Sequence, residues 1–309
     1  MKKQLRILIP IVLGMFFIYI TYRLTSQAER LLIWNYIKSA QMQCVVGAML
    51  FGASADVIRG LRWQLLSKAI GYSSGTINSI ASVFMCYTSN MAIPRSGEII
   101  RATALSEYNR IPIGKTFGTI AAERVIDISI SILILFLVWI LQYDIILESF
   151  FNEDYLLFID NNFWLIFSTV NIFIAIIFIL ITRVKKIKRF FISVLEGFLS
   201  LTKLKKKFFP FMLLSLLIWT CYILAFFTIK FSVTELNVID SSLIFPAFVV
   251  GVFSISLSNH GLGVYPLAIA LFLSNFGIST EIGLTYGWLA WSCQAIITLF
   301  FGGLSFFVL

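Results

Sequence analysis

Apolar residues in this chain come in long, nearly unbroken runs separated by short polar stretches. A membrane-spanning helix needs about 20 predominantly apolar residues. Leu5–Tyr22, Phe163–Thr182, Phe208–Lys230 and Thr285–Leu309 meet that demand with few or no internal charges. Met42–Leu66 and Phe117–Leu141 are long enough too, although the second carries Glu123, Arg124 and Asp127 in its first half. Two further segments are broken. Apolar Ile77–Ile93 runs into Pro94-Arg95-Ser96-Gly97-Glu98 and resumes at Ile99–Leu105. Apolar Ser241–Ser258 is interrupted by Asn259-His260-Gly261-Leu262-Gly263 and resumes at Val264–Phe276. The pattern predicts an all-α polytopic membrane protein with about six full spans and two broken helical segments.

Composition agrees. Hydrophobic residues make up 59% of the 309 positions and charged residues 13%, against roughly 25% charged in a soluble domain. Mean hydropathy is +0.93. Apolar runs are spread along the whole length, so positions 1–309 read as a single membrane domain without a separate catalytic unit. The first run follows Lys2, Lys3 and Arg6 but lacks a small-residue cleavage site, and is expected to be a retained anchor. Cys44, Cys86, Cys221 and Cys293 form no CxxC pair, and His260 is the only histidine. Neither a metal site nor a disulfide framework is expected.

Charge distribution orients the chain. Of the net charge of +9, most lies between Arg183 and Lys207, which hold nine Lys or Arg and one Glu. The positive-inside rule places this segment in the cytoplasm, against the anionic inner leaflet. The stretch Gln142–Asn162 has five acidic residues and no basic one, and fits the outside. The N-terminus, with its three early basic residues, belongs inside. The chain thus divides into an N-half (1–182), a basic linker (183–207) and a C-half (208–309). Between inward-running Met42–Leu66 and outward-running Phe117–Leu141, the stretch Thr76–Gly114 must start and finish inside. A re-entrant hairpin with its tip at Pro94–Glu98 satisfies that. A second hairpin, entering from outside, fits the break at Asn259–Gly263, although arms of this length also permit full crossings. Hairpins are the favoured arrangement, and their placement in the two halves implies an inverted repeat. Irregular backbone at membrane depth is tolerated only against protein or a water-filled cavity, and such breaks point to a substrate site.

Charges within a bilayer are costly unless paired or hydrated, so their positions carry functional information. Three clusters arise. Asp56, Arg59, Arg62 and Trp63 lie at the end of the second run. They are either an interfacial anchor, with Asp56 neutralising Arg59, or guanidinium forks for a phosphate. Asn90, Pro94, Arg95, Gly97, Glu98 and Arg101 surround the first break. A helix starting near Gly97 would aim its positive end at the tip, and Glu98 can pair with Arg101 or hold a cationic head group. Glu123, Arg124 and Asp127 place two carboxylates on one helix face with Arg124 within reach of Asp127. The missing positive partner is sought in Arg59, Arg95 or Arg101. Asn259, His260, Gly261 and Gly263 form the second break, where His260 is either a helix-end hydrogen bonder or a titrating group. No nucleotide-binding, serine-hydrolase or zinc-protease motif occurs, so any transport is passive or ion-driven. Neither a cofactor nor a nucleic-acid partner is expected.

The series Arg59-x-x-Arg62-Trp63 with Gly71, then Asn90-x-x-x-Pro94-Arg95-Ser96-Gly97-Glu98-x-x-Arg101, then Glu123-Arg124-x-x-Asp127, then Gly261-Leu262-Gly263-Val264 resembles the membrane region of the lysylphosphatidylglycerol synthase/flippase family. The likeness covers nearly the whole chain. It implies a domain that moves a lipid with a polar head group between leaflets of the cytoplasmic membrane. Bifunctional members add a soluble aminoacyl-transferase domain, which is not found up to Leu309, so lipid synthesis is not implied. Some relatives are tied by name to polyprenyl-phosphate sugar metabolism. The last family motif usually reads Pro-Gly-Gly-Leu-Gly-Val followed by a charged pair ending in Glu. Here Ser258-Asn259-His260 precedes Gly261 and Tyr265-Pro266 replaces that pair. The leading expectation is a lipid translocator with phosphate held by arginines and the carboxylates facing a cationic group. Alternatives are an intramembrane enzyme on a phospholipid or polyprenyl-phosphate substrate, and a non-transporting membrane subunit.

Overall fold

A computed structural model describes residues 2–94, 96–141, 204, 207–255 and 259–309. Arg95, the acidic stretch 142–162, the apolar run 163–182 and nearly all of the basic segment 183–207 lie outside the described residues. Everything described is helix or short connection. The apolar runs become α1 (Lys2–Leu24), α3 (Met42–Ala69), α6 (Ile113–Leu141), α7 (Phe208–Ile229) and α10 (Thr280–Val308). Among the described residues, α3, α6, α7 and α10 are long and apolar enough to cross a membrane. The chain is therefore an all-α, multi-pass membrane protein.

The broken segments become pairs of short helices. α4 (Thr76–Ala92) and α5 (Gly97–Asn109) flank the first break and pack on each other; α8 (Ser241–Ser254) and α9 (Val264–Ser274) do the same at the second. The order of a long helix, a packed short pair and a long helix thus occurs twice, and the leading helices of the two sets, α3 and α7, share the most extensive helix interface among the described residues. Local chemistry fixes the ends. Asp240 caps α8 by accepting from the Ser242 N–H at 2.7 Å, and the Ser242 hydroxyl and N–H hold its carboxyl below the usual carboxylate range. Pro266 sits in the first turn of α9, where a missing N–H costs nothing. The second break bends through left-handed backbone at His260 (φ 54°), Gly261 (φ 78°) and Gly263 (φ 73°), and glycine supplies that conformation without a steric penalty.

One helix was not foreseen. α2 (Gln27–Ser39) starts at a capping box in which Ser26 Oγ accepts from the Glu29 N–H and Glu29 accepts from the Ser26 N–H at 2.6 Å. It buries no residue and rests on α10.

α9 and α10 meet backbone to backbone. A Cβ at Gly287 would fall 2.5 Å from Pro266 Cα, and one at Gly283 2.7 Å from Ala270 Cα. Small residues four apart let membrane helices approach this closely. Gly287→Ala is expected to cost about 1–3 kcal/mol through overpacking, read as a lower thermal unfolding midpoint of the purified protein in detergent.

Candidate functional site

The charged residues of α3, α5 and α6 converge in the protein interior. Arg62, wholly buried, donates to Asp127 Oδ1 at 2.7 Å and to Ser215 Oγ at 3.0 Å, and its Nε lies 3.6 Å from Glu123 Oε1. Arg101 donates to Glu123 Oε2 at 2.7 Å. Arg59 pairs with the second oxygen of Asp127. Arg124 reaches back to Glu98 Oε1 at 2.9 Å. Aromatic faces complete the packing: Arg101 lies over Trp63, Arg62 over Phe211 and Arg59 over Tyr87.

This pairing corrects several expectations. Arg59 of α3 is not neutralised by Asp56 but by Asp127 of α6. Glu98 pairs with Arg124 rather than Arg101, and Arg124 does not pair with Asp127. The positive partners of the Glu123–Asp127 face are Arg59, Arg62 and Arg101. The i, i+3 and i, i+4 neighbours on a helix carry the reading of a sequence, whereas here every pair joins different helices.

A cavity of about 470 Å³ opens beside this network. Six of the sequence-predicted residues line it: Arg59, Asn90, Glu98, Arg124, Asp127 and His260. Arg62, Arg101 and Glu123 are buried behind that wall. Asn90 accepts the Gly97 N–H at 2.8 Å, so one of the free donors at the start of α5 is already satisfied by protein. Gly97 itself is pressed against the Cys86 carbonyl, leaving no room for a side chain. Pro94 lies in the α4–α5 turn and does not line the cavity, and Arg95 is outside the described residues. At the second break only His260 joins the lining. Its carbonyl accepts from Trp291 Nε1 at 3.0 Å and its ring lies 6.4 Å from that of Tyr87. Gly261 is buried among Ile255 and Tyr265, and Gly263 against α1, where a Cβ would come 2.8 Å from the Gly14 carbonyl. Asn259 belongs to the turn that precedes them.

The aromatic part of the lining was not anticipated. Trp219, Tyr222 and Phe226 of α7, Phe248 of α8, and Trp291 and Gln294 of α10 line the same cavity. A tyrosine and a glutamine inside otherwise apolar runs were the available signal. Two buried donors on cavity-lining residues, Arg59 Nε and Trp219 Nε1, have no acceptor among the described residues. Buried donors in native proteins are nearly always satisfied, so both can serve an acceptor brought by a ligand. Among the described residues no His, Cys, Asp and Glu cluster has the geometry of a metal site.

The family model for the lysylphosphatidylglycerol synthase transmembrane region matches residues 7–302. The chain belongs to that family. Two curated relatives are similar to this member of the lysylphosphatidylglycerol synthase transmembrane family over part of their length. The UPF0104 membrane protein MJ1595 of Methanocaldococcus jannaschii is 31% identical over 152 residues, 47% of this chain and 44% of that protein. The glycosyltransferase AglD of Haloferax volcanii is 29% identical over 72 residues, 23% of this chain and 12% of that protein. The matches thus span less than half the length of either relative. No solved structure matches the chain significantly.

Proposed function

We propose that this protein moves a lipid with a polar, phosphate-bearing head group between the leaflets of the cytoplasmic membrane. The observation that carries the reading is the cavity among the helices of a multi-pass membrane protein, whose lining combines Arg59, Arg124, Glu98 and Asp127 with a set of aromatic rings. Guanidinium groups suit phosphate oxygens, and Arg59 Nε is a donor still lacking an acceptor among the described residues. Glu98, partly exposed to the cavity, would face a cationic or hydroxyl-bearing part of the head group. The aromatic rings would take a sugar ring or the first carbons of the tails, which stay in the bilayer. The AglD relative is named a glycosyltransferase, which favours a sugar-bearing head group among such lipids.

In this reading the α4–α5 and α8–α9 pairs are re-entrant hairpins entering from opposite sides, and the two helix sets are inverted repeats with the N-terminus inside. Supporting it are the repeated order of helices and the α3–α7 seam between the sets. The segment Arg183–Lys207 would lie on the anionic inner leaflet.

Vesicles holding the purified protein and a trace of fluorescent phosphatidylglycerol test the proposal. With active protein, an external quencher removes fluorescence from both leaflets rather than the outer one alone. Ala225→Trp, which places an indole in the cavity, is expected to return quenching to that of the outer leaflet. Wild-type vesicles that never exceed it, or a filled variant as active as wild type, would overturn the assignment. Conversion of a lipid into a new product by the pure protein would favour the enzymatic alternative.

A further inference from the structure

The mechanism of charge pairing above leaves one buried carboxylate aside. Asp56, on α3, is wholly buried, yet no cation lies within ion-pair distance of it among the described residues. Its two oxygens accept instead from neutral groups: Tyr222 donates its hydroxyl at 2.7 Å and Gln294 its amide at 3.1 Å. Tyr222 comes from α7 and Gln294 from α10, so Asp56 ties the first helix set to the second. Both partners also line the cavity, which leaves Asp56 one side chain behind its wall. Gly52, one turn before Asp56, makes the room in which the Gln294 carbonyl sits; a Cβ there would be 2.5 Å from it.

A buried ionised carboxylate without a cation is expensive, and such a group takes up a proton instead. Among the described residues, none of the groups facing Asp56 is a cation within ion-pair distance of it. On its own helix, Arg59 is committed to Asp127 of α6. α4 presents Tyr87, α7 presents Tyr222, and α10 presents the neutral Gln294. Protonation also changes the bonding. The ionised carboxylate accepts from both partners, whereas the neutral acid must donate one bond, so Tyr222 or Gln294 has to turn.

We propose that Asp56 is a proton-binding site that couples lipid movement to a proton gradient. The proposal rests on the transport reading above and adds its energy source. The step is a proton transfer from hydronium to the carboxylate on the acidic side and its return to water on the other. No other bond is made or broken. The rearranged Asp56–Tyr222–Gln294 contact loosens or tightens the seam between the helix sets beside the cavity.

The test uses the same vesicles, with fluorescent phosphatidylglycerol as probe and an imposed gradient of about one pH unit. Coupling of one proton to one lipid shifts the leaflet ratio of the probe by up to about tenfold. Asp56→Asn, which keeps the shape and loses the proton, is expected to abolish that shift, whereas Glu107→Gln, at an exposed carboxylate of α5, keeps it. Exchange by the wild type with a ratio that ignores the gradient would overturn the coupling and leave the transport reading intact. Absence of exchange would overturn the transport reading itself. An Asp56→Asn protein that still answers the gradient would remove Asp56 from the coupling. A second readout does not need transport. Infrared difference spectra between about pH 5 and pH 8 should contain a protonated-carboxyl band that is missing in Asp56→Asn and displaced in Asp56→Glu. Wild-type spectra without a band that either variant alters would overturn the proposal.

Discussion

Glu123→Ala is expected to cost this protein about 3–5 kcal/mol of stability, the range for deleting one partner of a buried ion pair. Native proteins hold only about 5–15 kcal/mol in total, so the variant should be recovered from membranes in greatly reduced amount and unfold early in detergent. The reason is that Glu123 faces two guanidinium groups at once. Arg101, at 3% side-chain exposure, has Glu123 as its ion-pair partner at 2.7 Å, and Arg62, at 0%, has Glu123 as one of two. Removing the carboxylate strands positive charge where water does not reach. The same physics makes a compensating variant informative. Changing Glu123 and Arg101 together to methionine removes both charges with little change in bulk, and well-packed apolar pairs often match buried ion pairs in stability. Recovery of stability in the double variant, with Glu123→Ala unstable, confirms that the network holds the fold. Equal instability of both would mean that the shape of this region, rather than its charge, is what matters.

Arg59→Gln is expected to act on transport instead. Asp127 keeps Arg62 at 2.7 Å when Arg59 is lost, so its charge stays compensated and the fold is retained. The cavity, however, loses the guanidinium whose Nε has no acceptor among the described residues. A hydrogen bond to a charged group is worth about 1.5–3 kcal/mol, which corresponds to roughly a 10- to 100-fold lower initial rate of lipid exchange. A rate within about twofold of the wild type would take Arg59 out of the substrate path.

The two variants separate residues that look alike in the sequence. Arg59, Arg62, Arg101, Glu98, Glu123 and Asp127 are all rare charges in apolar surroundings, and rarity made them legible. Which of them face a cavity and which are sealed behind it depends on helix rotation. The partners are 22 to 68 positions apart along the chain, a distance over which local periodicity says nothing. The long helices were readable because membrane length imposes an unbroken apolar run, and the breaks at Pro94–Glu98 and Asn259–Gly263 were readable because proline and glycine punctuate it. α2 was missed because it has neither length nor a uniform apolar character. Its one sequence cue was Ser26 followed three positions later by Glu29, a capping pattern. Tyr87, Trp219, Tyr222 and Trp291 were missed because aromatic residues form 16% of the chain, so a group of them has little contrast against the rest; Gln294, an amide inside an apolar run, was the stronger cue.

The contact of Gly283 and Gly287 with Pro266 and Ala270 has a mechanical consequence. Two helices separated by side chains can slide, because flexible groups give way. Two helices whose backbones touch cannot, since a shift of one residue would drive a side chain of α10 into the main chain of α9. The Thr88 hydroxyl, donating to the Thr298 carbonyl at 2.7 Å, pins α4 to the same helix further along. α4, α9 and α10 therefore behave as one stiff plate. Under the proposed transport, the motion past the cavity is then a hinge at the edges of that plate rather than a slip within it.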